Sequence, residues 1–166
     1  MSASVTPARV LVMGIGYTLL QDDGVGVHVA EQFRASLPPD SPITVLDGGT
    51  IGLSLLPEVE DADAVIIIDA SEMGEQPGTV RQFRNGAIDR QLSGKRRTVH
   101  EVALADLFSA AEIRGRSPAE RVLVAIQPGC TEWGLEPTNP VQAAIPRACA
   151  AIQALTDGWL AAEAAA

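Results

Sequence analysis

The feature that most constrains this fold is an apolar segment that runs through a glycine turn toward two adjacent acids. The segment reads VLVMGIG at residues 10–16, and the acids open the sequence DDGVG at residues 22–26. Its first four residues have the β-branched, apolar character of a buried parallel strand, and apolar residues then recur at helical spacing through residue 33. The order is therefore strand, loop, helix. Such a loop lies at the carboxyl edge of an open α/β sheet, where ligands bind, so Asp22 and Asp23 are candidate functional residues.

Strand-like and helical segments alternate along the rest of the chain. The patterns predict strands at residues 9–14, 43–47, 64–69, 80–84 and 121–126, and helices at residues 25–36, 51–58, 100–113 and 140–162. Alternation of this kind predicts an α/β fold with three layers, in which a mostly parallel, twisted sheet of five strands carries helices on both faces.

Two details refine this prediction. Too few residues separate Asp69 from Val80 for a crossover helix, so the fourth strand is expected to run antiparallel, at an edge. Asn139 is expected to cap the last helix, with Pro140 in its first turn. An apolar stripe at spacings of three and four should place that helix in the core, and it consists of Ile145, Ala148, Ile152, Leu155 and Trp159.

Composition narrows the class of protein. The 166 residues predict one domain, 1–166, with a core at about 9–160. Twelve basic against 21 acidic residues give a net charge of −9, which disfavours nucleic acid and anionic membranes as partners. The first nine residues lack an apolar signal-like segment, so we expect a cytoplasmic protein. Cys130 and Cys149 should be free and reduced, since two thiols make no disulfide framework.

Asp69 and His100 join the two acids as candidates. Asp69 ends the most apolar strand, and in the common strand order 2-1-3 it would face the loop of Asp23 across one crevice. Thr98 and Glu101 form a capping-box pattern that places His100 in the first turn of a helix, where the helix dipole favours a neutral imidazole. Two carboxylates and one imidazole suit nickel or zinc, and spacing alone does not choose between them.

A third segment, LDGGTIG at residues 46–52, follows the second strand. Its paired glycines, Gly48 and Gly49, permit close approach of another backbone, so these residues and Thr50 either form a plain turn or contact a substrate. The chain contains neither a G-x-S-x-G elbow nor an H-E-x-x-H helix, which leaves the attacking group unassigned.

Taken together, the segments resemble the nickel-iron hydrogenase maturation endopeptidases, whose signature reads Gly-x-Gly-Asn, a short apolar run, two acids, Gly and Val-Gly. The chain carries Tyr17 where that family usually has Asn. The resemblance extends over roughly residues 9 to 146, and its further segments are LDGGTIG at 46–52, VIIIDA at 65–70, VHEVALAD at 99–106, IQP at 126–128 and EWG at 132–134.

The resemblance implies a function and a site. Asp23, Asp69 and His100 would recognise nickel already inserted in the precursor of the hydrogenase large subunit, whose carboxyl-terminal extension is then removed. Asp23 and Asp69 would be the catalytic acids, and Asp22 would cap the helix or support the ligands. We expect hydrolysis by a water held between the metal and one carboxylate, carried out by a monomer or weak dimer.

Two alternatives use the same residues differently. A non-catalytic metal-sensing maturation chaperone would hold nickel with the same three side chains. A dinucleotide-binding domain fits less well, because the third glycine of its fingerprint is missing and acids occupy the place of a pyrophosphate.

Overall fold

The computed structural model describes residues 9–49, 52–94 and 98–165, in which five strands alternate with helices. The strands are β1 (Val10–Ile15), β2 (Ile43–Gly49), β3 (Ala64–Ala70), β4 (Val80–Arg84) and β5 (Glu120–Ile126). The helices are α1 (Val25–Ser36), α2 (Leu56–Asp61), α3 (Gly86–Leu92), α4 (Val99–Ile113) and α5 (Asn139–Ala164). Short 3₁₀ turns, Gln21–Gly24 and Leu53–Leu55, precede α1 and α2.

The strands form one sheet in the order β2-β1-β3-β5-β4. All neighbours are parallel except β4, which pairs antiparallel with β5 at the edge. The mostly parallel sheet, the 2-1-3 order and the reversed edge strand are therefore confirmed. The carboxyl ends of β1, β2, β3 and β5 consequently meet at one edge, which is called the carboxyl edge below.

Alternating side chains of the buried strands pack into two hydrophobic cores, one on each face of the sheet. Residues such as Ile66 and Ile68 face α1 and α5, while Val65 and Ile67 face α2, α3 and α4. Asp69 continues the second series, because residues two apart on a strand share a face. This register points the Asp69 carboxylate toward α4 at the carboxyl edge.

Several element boundaries differ from the sequence-based prediction. Helix α3 was not predicted, since its seven residues carry too little apolar periodicity. Asn139 does not cap α5: it is the first helical residue, and Thr138 occupies the N-cap position. The predicted stripe of α5 does enter the core. Thr50, and Ile51 at the start of the predicted helix 51–58, lie outside the described residues.

None of the helices in the described ranges combines the length and apolar character that a bilayer span requires.

Helix α1 begins in direct contact with the sheet, and this contact positions the acidic loop before it. A Cβ atom on Gly26 would lie 2.2 Å from the Ile68 carbonyl oxygen and 2.5 Å from that of Ile15. A Cβ atom on Gly14 would lie 2.2 Å from the Gly26 carbonyl oxygen. Only glycine allows these backbones to come so close.

We expect Gly26→Ala to lower the free energy of unfolding by about 1 to 3 kcal/mol or more, because helix and strands must move apart. Gly158→Ala is the matched control, since its Cβ would meet nothing within 4 Å on α5 and should stabilise the helix by about 0.5 to 1 kcal/mol. Urea denaturation of both variants measures the difference. Equal changes in the free energy of unfolding for the two variants would show that the close contact at Gly26 does not contribute to stability.

Candidate active site

The imidazole of His100 bridges two buried carboxylates at the carboxyl edge. Its Nε2 lies 2.9 Å from Oδ1 of Asp23, and its Nδ1 lies 3.3 Å from Oδ2 of Asp69. The three residues are 4%, 7% and 1% exposed, in the order His100, Asp23, Asp69. The predicted meeting of Asp23 and Asp69 across the crevice between β1 and β3 therefore occurs, with the histidine between them.

His100 is held in place by the start of its own helix. Thr98 is the N-cap of α4; its hydroxyl accepts from the Glu101 backbone N–H, and the Glu101 carboxylate accepts from the Thr98 N–H at 2.9 Å. The capping box predicted from the sequence is thus confirmed. The Thr98 hydroxyl also lies 3.2 Å from Nδ1 of His100, which further fixes the ring.

Asp23 is fixed by the loop that precedes it. The backbone N–H of Tyr17 donates to Oδ2 of Asp23 at 2.9 Å, which leaves Oδ1 for His100. Because the donor is a backbone group, this bond does not depend on the side chain of Tyr17, which is 50% exposed. Gly16, at φ +124°, allows the turn, since a Cβ there would overlap the Asp23 carbonyl oxygen.

The bridge shifts the pKa of all three groups. Burial acts to lower the pKa of His100, but hydrogen bonds to Asp23 and Asp69 outweigh it and raise that pKa above the ordinary 6.5. Burial acts to raise the pKa of Asp23, but the bonds from His100 and Tyr17 hold it below its usual value. Burial dominates at Asp69 and raises its pKa despite His100. The expectation of a neutral imidazole is therefore wrong for this arrangement, since two carboxylates outweigh the helix dipole.

One oxygen in the cluster is unpaired. Oδ1 of Asp69 is buried and has no hydrogen-bond partner among the described residues. Buried carboxylate oxygens usually have a partner, so this atom has an unused capacity to accept a proton or to ligate a cation.

The three side chains, however, hydrogen-bond to one another and do not point at a common position where one metal ion could bind. No group of three His, Cys, Asp or Glu side chains in residues 9–49, 52–94 and 98–165 is arranged to hold a metal ion. The two ring nitrogens of His100 face different carboxylates. One ion could touch all three side chains only after the ring reorients.

Asp22 does not cap α1, contrary to one of the two roles expected for it. Its fully buried carboxylate accepts from the backbone N–H groups of Gly129, Cys130 and Thr138 at 2.8, 2.9 and 2.6 Å. The Thr138 hydroxyl donates to it as well. Asp22 thus fastens both ends of the loop between β5 and α5, which is called the 129–138 loop below.

The segment after β2 approaches the chain's own backbone. A Cβ on Gly48 would lie 2.9 Å from the Met13 side chain, and the Gly49 carbonyl oxygen accepts from the Gly16 N–H at 2.9 Å. The glycines thus bring β2 against the turn that carries Asp23. Contact with a substrate stays a prediction for Gly48 and Gly49, and Thr50 lies outside the described residues.

Sequence reasoning missed the partners of Asp22. The family resemblance includes the glutamine of IQP without giving it a role, yet the buried Gln127 accepts from the Met73 N–H at 2.7 Å and ties the β3–β4 connection to the end of β5. The signal available was the cluster of glycine, proline and small polar residues after β5, which marks a structured loop but does not name its partner. Both cysteines are free, as expected.

Comparison with known proteins gives the class. A profile of the hydrogenase maturation protease family matches residues 27–155 of the chain, a range that includes Asp69 and His100 and begins after Asp23. The hydrogenase expression/formation protein HupD of Bradyrhizobium diazoefficiens is 36% identical over 143 residues, covering 86% of this chain and 74% of the relative. The hydrogenase 2 maturation protease of Escherichia coli is 34% identical over 133 residues, covering 78% and 80%.

Solved structures agree with the sequences. The hydrogenase maturating endopeptidase HybD from E. coli superposes with a TM-score of 0.84 at 33% identity, covering 90% of this chain and 93% of that one. The [NiFe] hydrogenase maturation protease HybD from Thermococcus kodakarensis gives a TM-score of 0.74 at 25% identity, covering 89% and 98%.

The fold and the relatives define a peptidase, and hence a hydrolase. The chain belongs to the hydrogenase maturation protease family. The resemblance seen in the sequence is confirmed, whereas the alternative of a dinucleotide-binding domain finds no support in these relatives.

We expect the His100 ring of the metal-free protein to carry a proton on both nitrogens at pH 7.5. The Asp23→Asn substitution should lower the midpoint pH of the His100 titration, because it removes a carboxylate that stabilises the charged ring. A histidine with a raised pKa contributes stability that is complete below pH 6.5 and is lost as the pH rises through the raised value. Nitrogen chemical shifts of the imidazole, followed by NMR between pH 5 and 10, measure this directly. Asp106→Asn, an exposed carboxylate on the same helix, should leave the midpoint unchanged. A midpoint at the ordinary value in the native protein would contradict the bridge.

We expect Asp22→Asn to lower the free energy of unfolding by about 2 to 4 kcal/mol. An amide offers a single acceptor oxygen and turns its own N–H groups toward buried donors. Asp47→Asn is the control: Asp47 is exposed and accepts one bond from Gly49, which an amide oxygen also accepts, so the change should stay within about 0.5 kcal/mol. Equal denaturation curves for both variants would show that the 129–138 loop is held by other contacts.

Proposed function

We propose that this peptidase removes the carboxyl-terminal extension from the precursor of a nickel-iron hydrogenase large subunit after nickel has been inserted. The observation that supports it is the buried Asp23–His100–Asp69 bridge at the carboxyl edge of a chain of this family. Nickel belongs to the precursor and is recognised as part of the substrate.

The donor set is suited to that recognition. Two carboxylates and an imidazole are ligands that nickel accepts, and no thiolate is needed from the protease. Oδ1 of Asp69 has an unused lone pair, and Oδ1 of Asp23 is exchangeable because its partner is the ring itself. Metal ligation requires a neutral imidazole, so His100 gives up a proton and its hydrogen bonds when the nickel-bearing precursor arrives.

This arrangement links recognition to cleavage. Without the precursor, His100 engages one oxygen of each carboxylate, and its single positive charge offsets one of their two negative charges. Ligation of nickel breaks this bridge, so a carboxylate oxygen that does not bind the metal can act on the peptide bond, and a metal centre can polarise a carbonyl or a water. One of the two carboxylates accepts a proton from water as the oxygen adds to the scissile carbonyl carbon, and the departing amine then takes up a proton as the C–N bond breaks.

The decisive experiment compares nickel-loaded and nickel-free large-subunit precursor, each incubated with the protein and followed by intact mass. We expect loss of the extension from the nickel-loaded form alone. Cleavage of both forms at one rate would show that nickel is not recognised. Binding of the nickel-loaded form without any cleavage would favour the metal-sensing chaperone.

We expect Asp23→Asn, Asp69→Asn and His100→Ala each to slow processing by at least about 100-fold, because each removes a ligand or a proton acceptor. Asp106→Asn, which keeps the three side chains intact, should process at the native rate. Asp22→Asn should slow processing less than Asp23→Asn does, since it acts by holding the 129–138 loop. Native processing by a folded His100→Ala variant, with folding checked by circular dichroism, would refute the three-residue site.

A further inference from the structure

Large apolar side chains that remain exposed are concentrated at the carboxyl edge. Of the eight that stand out among the described residues, seven lie on segments that follow β1, β2 or β5 or that open α4. Helix α4 leads into a parallel strand, so its start lies at the same edge. The eighth, Ile113, lies at the far end of α4. Such clustering marks an interaction site, whereas scattered exposed residues do not. The seventh, Tyr17, is set apart because its ring ends in a polar hydroxyl. The other six form what we call the apolar rim: Leu19, Leu53, Val99, Val102, Trp133 and Leu135.

One side of the apolar rim is a paired, ordered structure. The segment of Leu19 and the segment of Trp133 bond to each other: the Gly134 N–H donates to the Leu19 carbonyl at 3.0 Å, and the Gln21 N–H donates to the Gly134 carbonyl at 2.9 Å. Trp133 is 80% exposed and Leu135 69% exposed. Backbone hydrogen bonds therefore fix the position of this loop, while its largest side chains face solvent.

The other side of the rim flanks the same site. Val99, 84% exposed, directly precedes His100, and the turn that carries Leu53 packs against α4. On the first side, the loop that carries Leu19 also supplies the Tyr17 N–H that holds Asp23. Segments that carry rim side chains therefore flank the buried Asp23–His100 pair on both sides, so a protein that presents a peptide to this pair comes close to apolar side chains.

The charges beside Trp133 indicate which charge a binding partner would carry. Glu132 and Glu136 are both exposed and border the Trp133–Leu135 segment, in a chain of net charge −9. A second copy of this chain would bring these acids together with their own counterparts, which disfavours self-association. An anionic membrane is repelled in the same way. A partner with an apolar surface bordered by Lys or Arg fits both features.

We propose that the apolar rim docks the precursor itself, through an apolar surface bordered by basic side chains next to its extension. This proposal rests on the proposed function and adds the surface by which the substrate protein is held. Trp133 is the main anchor, since a large aromatic side chain on a preordered loop binds at low entropic cost. Docking at the rim places the nickel-bearing part of the precursor over the bridge.

The test measures binding and cleavage separately. Titration of nickel-loaded precursor into the cleavage-deficient His100→Ala protein gives Kd, and the mass assay on otherwise native protein gives KM and kcat. We expect Trp133→Ala and Leu135→Ala each to raise Kd and KM by about 10- to 30-fold with kcat unchanged. Ile113→Ala, which removes an equally exposed side chain away from the carboxyl edge, should change neither by more than about twofold.

The charge component has its own control. Glu132→Lys with Glu136→Lys should raise Kd and flatten its dependence on salt, whereas Glu163→Lys on α5 should not.

The outcomes separate the two proposals. If the native protein cleaves the precursor and Trp133→Ala has the native Kd and KM, docking at the rim is refuted while the proposed function stands. If nickel-loaded precursor binds at the rim but is never cleaved, the docking surface stands and the proposed function fails. Absence of binding refutes docking. Sedimentation that shows a native dimer dispersed by Trp133→Ala would assign the rim to a second copy and also refute it.

Discussion

The direct contact between the start of α1 and the backbones of β1 and β3 is the constraint from which the site follows. Neither Gly14 nor Gly26 contributes a side-chain atom to that contact, so the helix begins against the sheet. The turn that precedes it then has one position relative to the end of β3. Asp23 on the turn and Asp69 on the strand consequently lie within reach of one imidazole.

That arrangement places two acids in a largely water-free edge, which is unfavourable unless their charges are neutralised. His100 offsets one of the two charges, and burial favours the neutral form of Asp69 by raising its pKa. The position of His100 depends on the capping box of α4 rather than on the sheet. The site therefore joins both helical layers: the turn before α1, on one face of the sheet, presents Asp23, and α4, on the other face, presents His100. Because the site is assembled from three separate elements, its geometry depends on how each element packs. Backbone hydrogen bonds at Tyr17, Thr98 and Glu101 hold Asp23 and the start of α4 in place.

From periodicity, local caps and the common 2-1-3 order, the sequence predicted the reversed edge strand, the approach of Asp23 and Asp69, and the place of His100 in a first helical turn. That His100 joins the two acids was implied by the family resemblance. The sequence did not predict the partners of Asp22, which lie more than a hundred residues along the chain, beyond the reach of any local pattern. The protonation of His100 was mispredicted for a related reason. The helix dipole is visible in the sequence, whereas the geometry of two carboxylates around one ring is a property of the folded chain.

The long separation between Asp22 and its partners has a consequence for biosynthesis. Its hydrogen bonds span 107 to 116 residues, so this carboxylate leaves the ribosome long before anything can pair with it. At roughly 5 to 20 residues per second, several seconds pass before Thr138 is made. The loop that carries Trp133 closes only after that, with α5 still to follow. A nascent chain therefore has β1, β2, β3 and its first acids seconds before it has a finished edge at which to bind another protein.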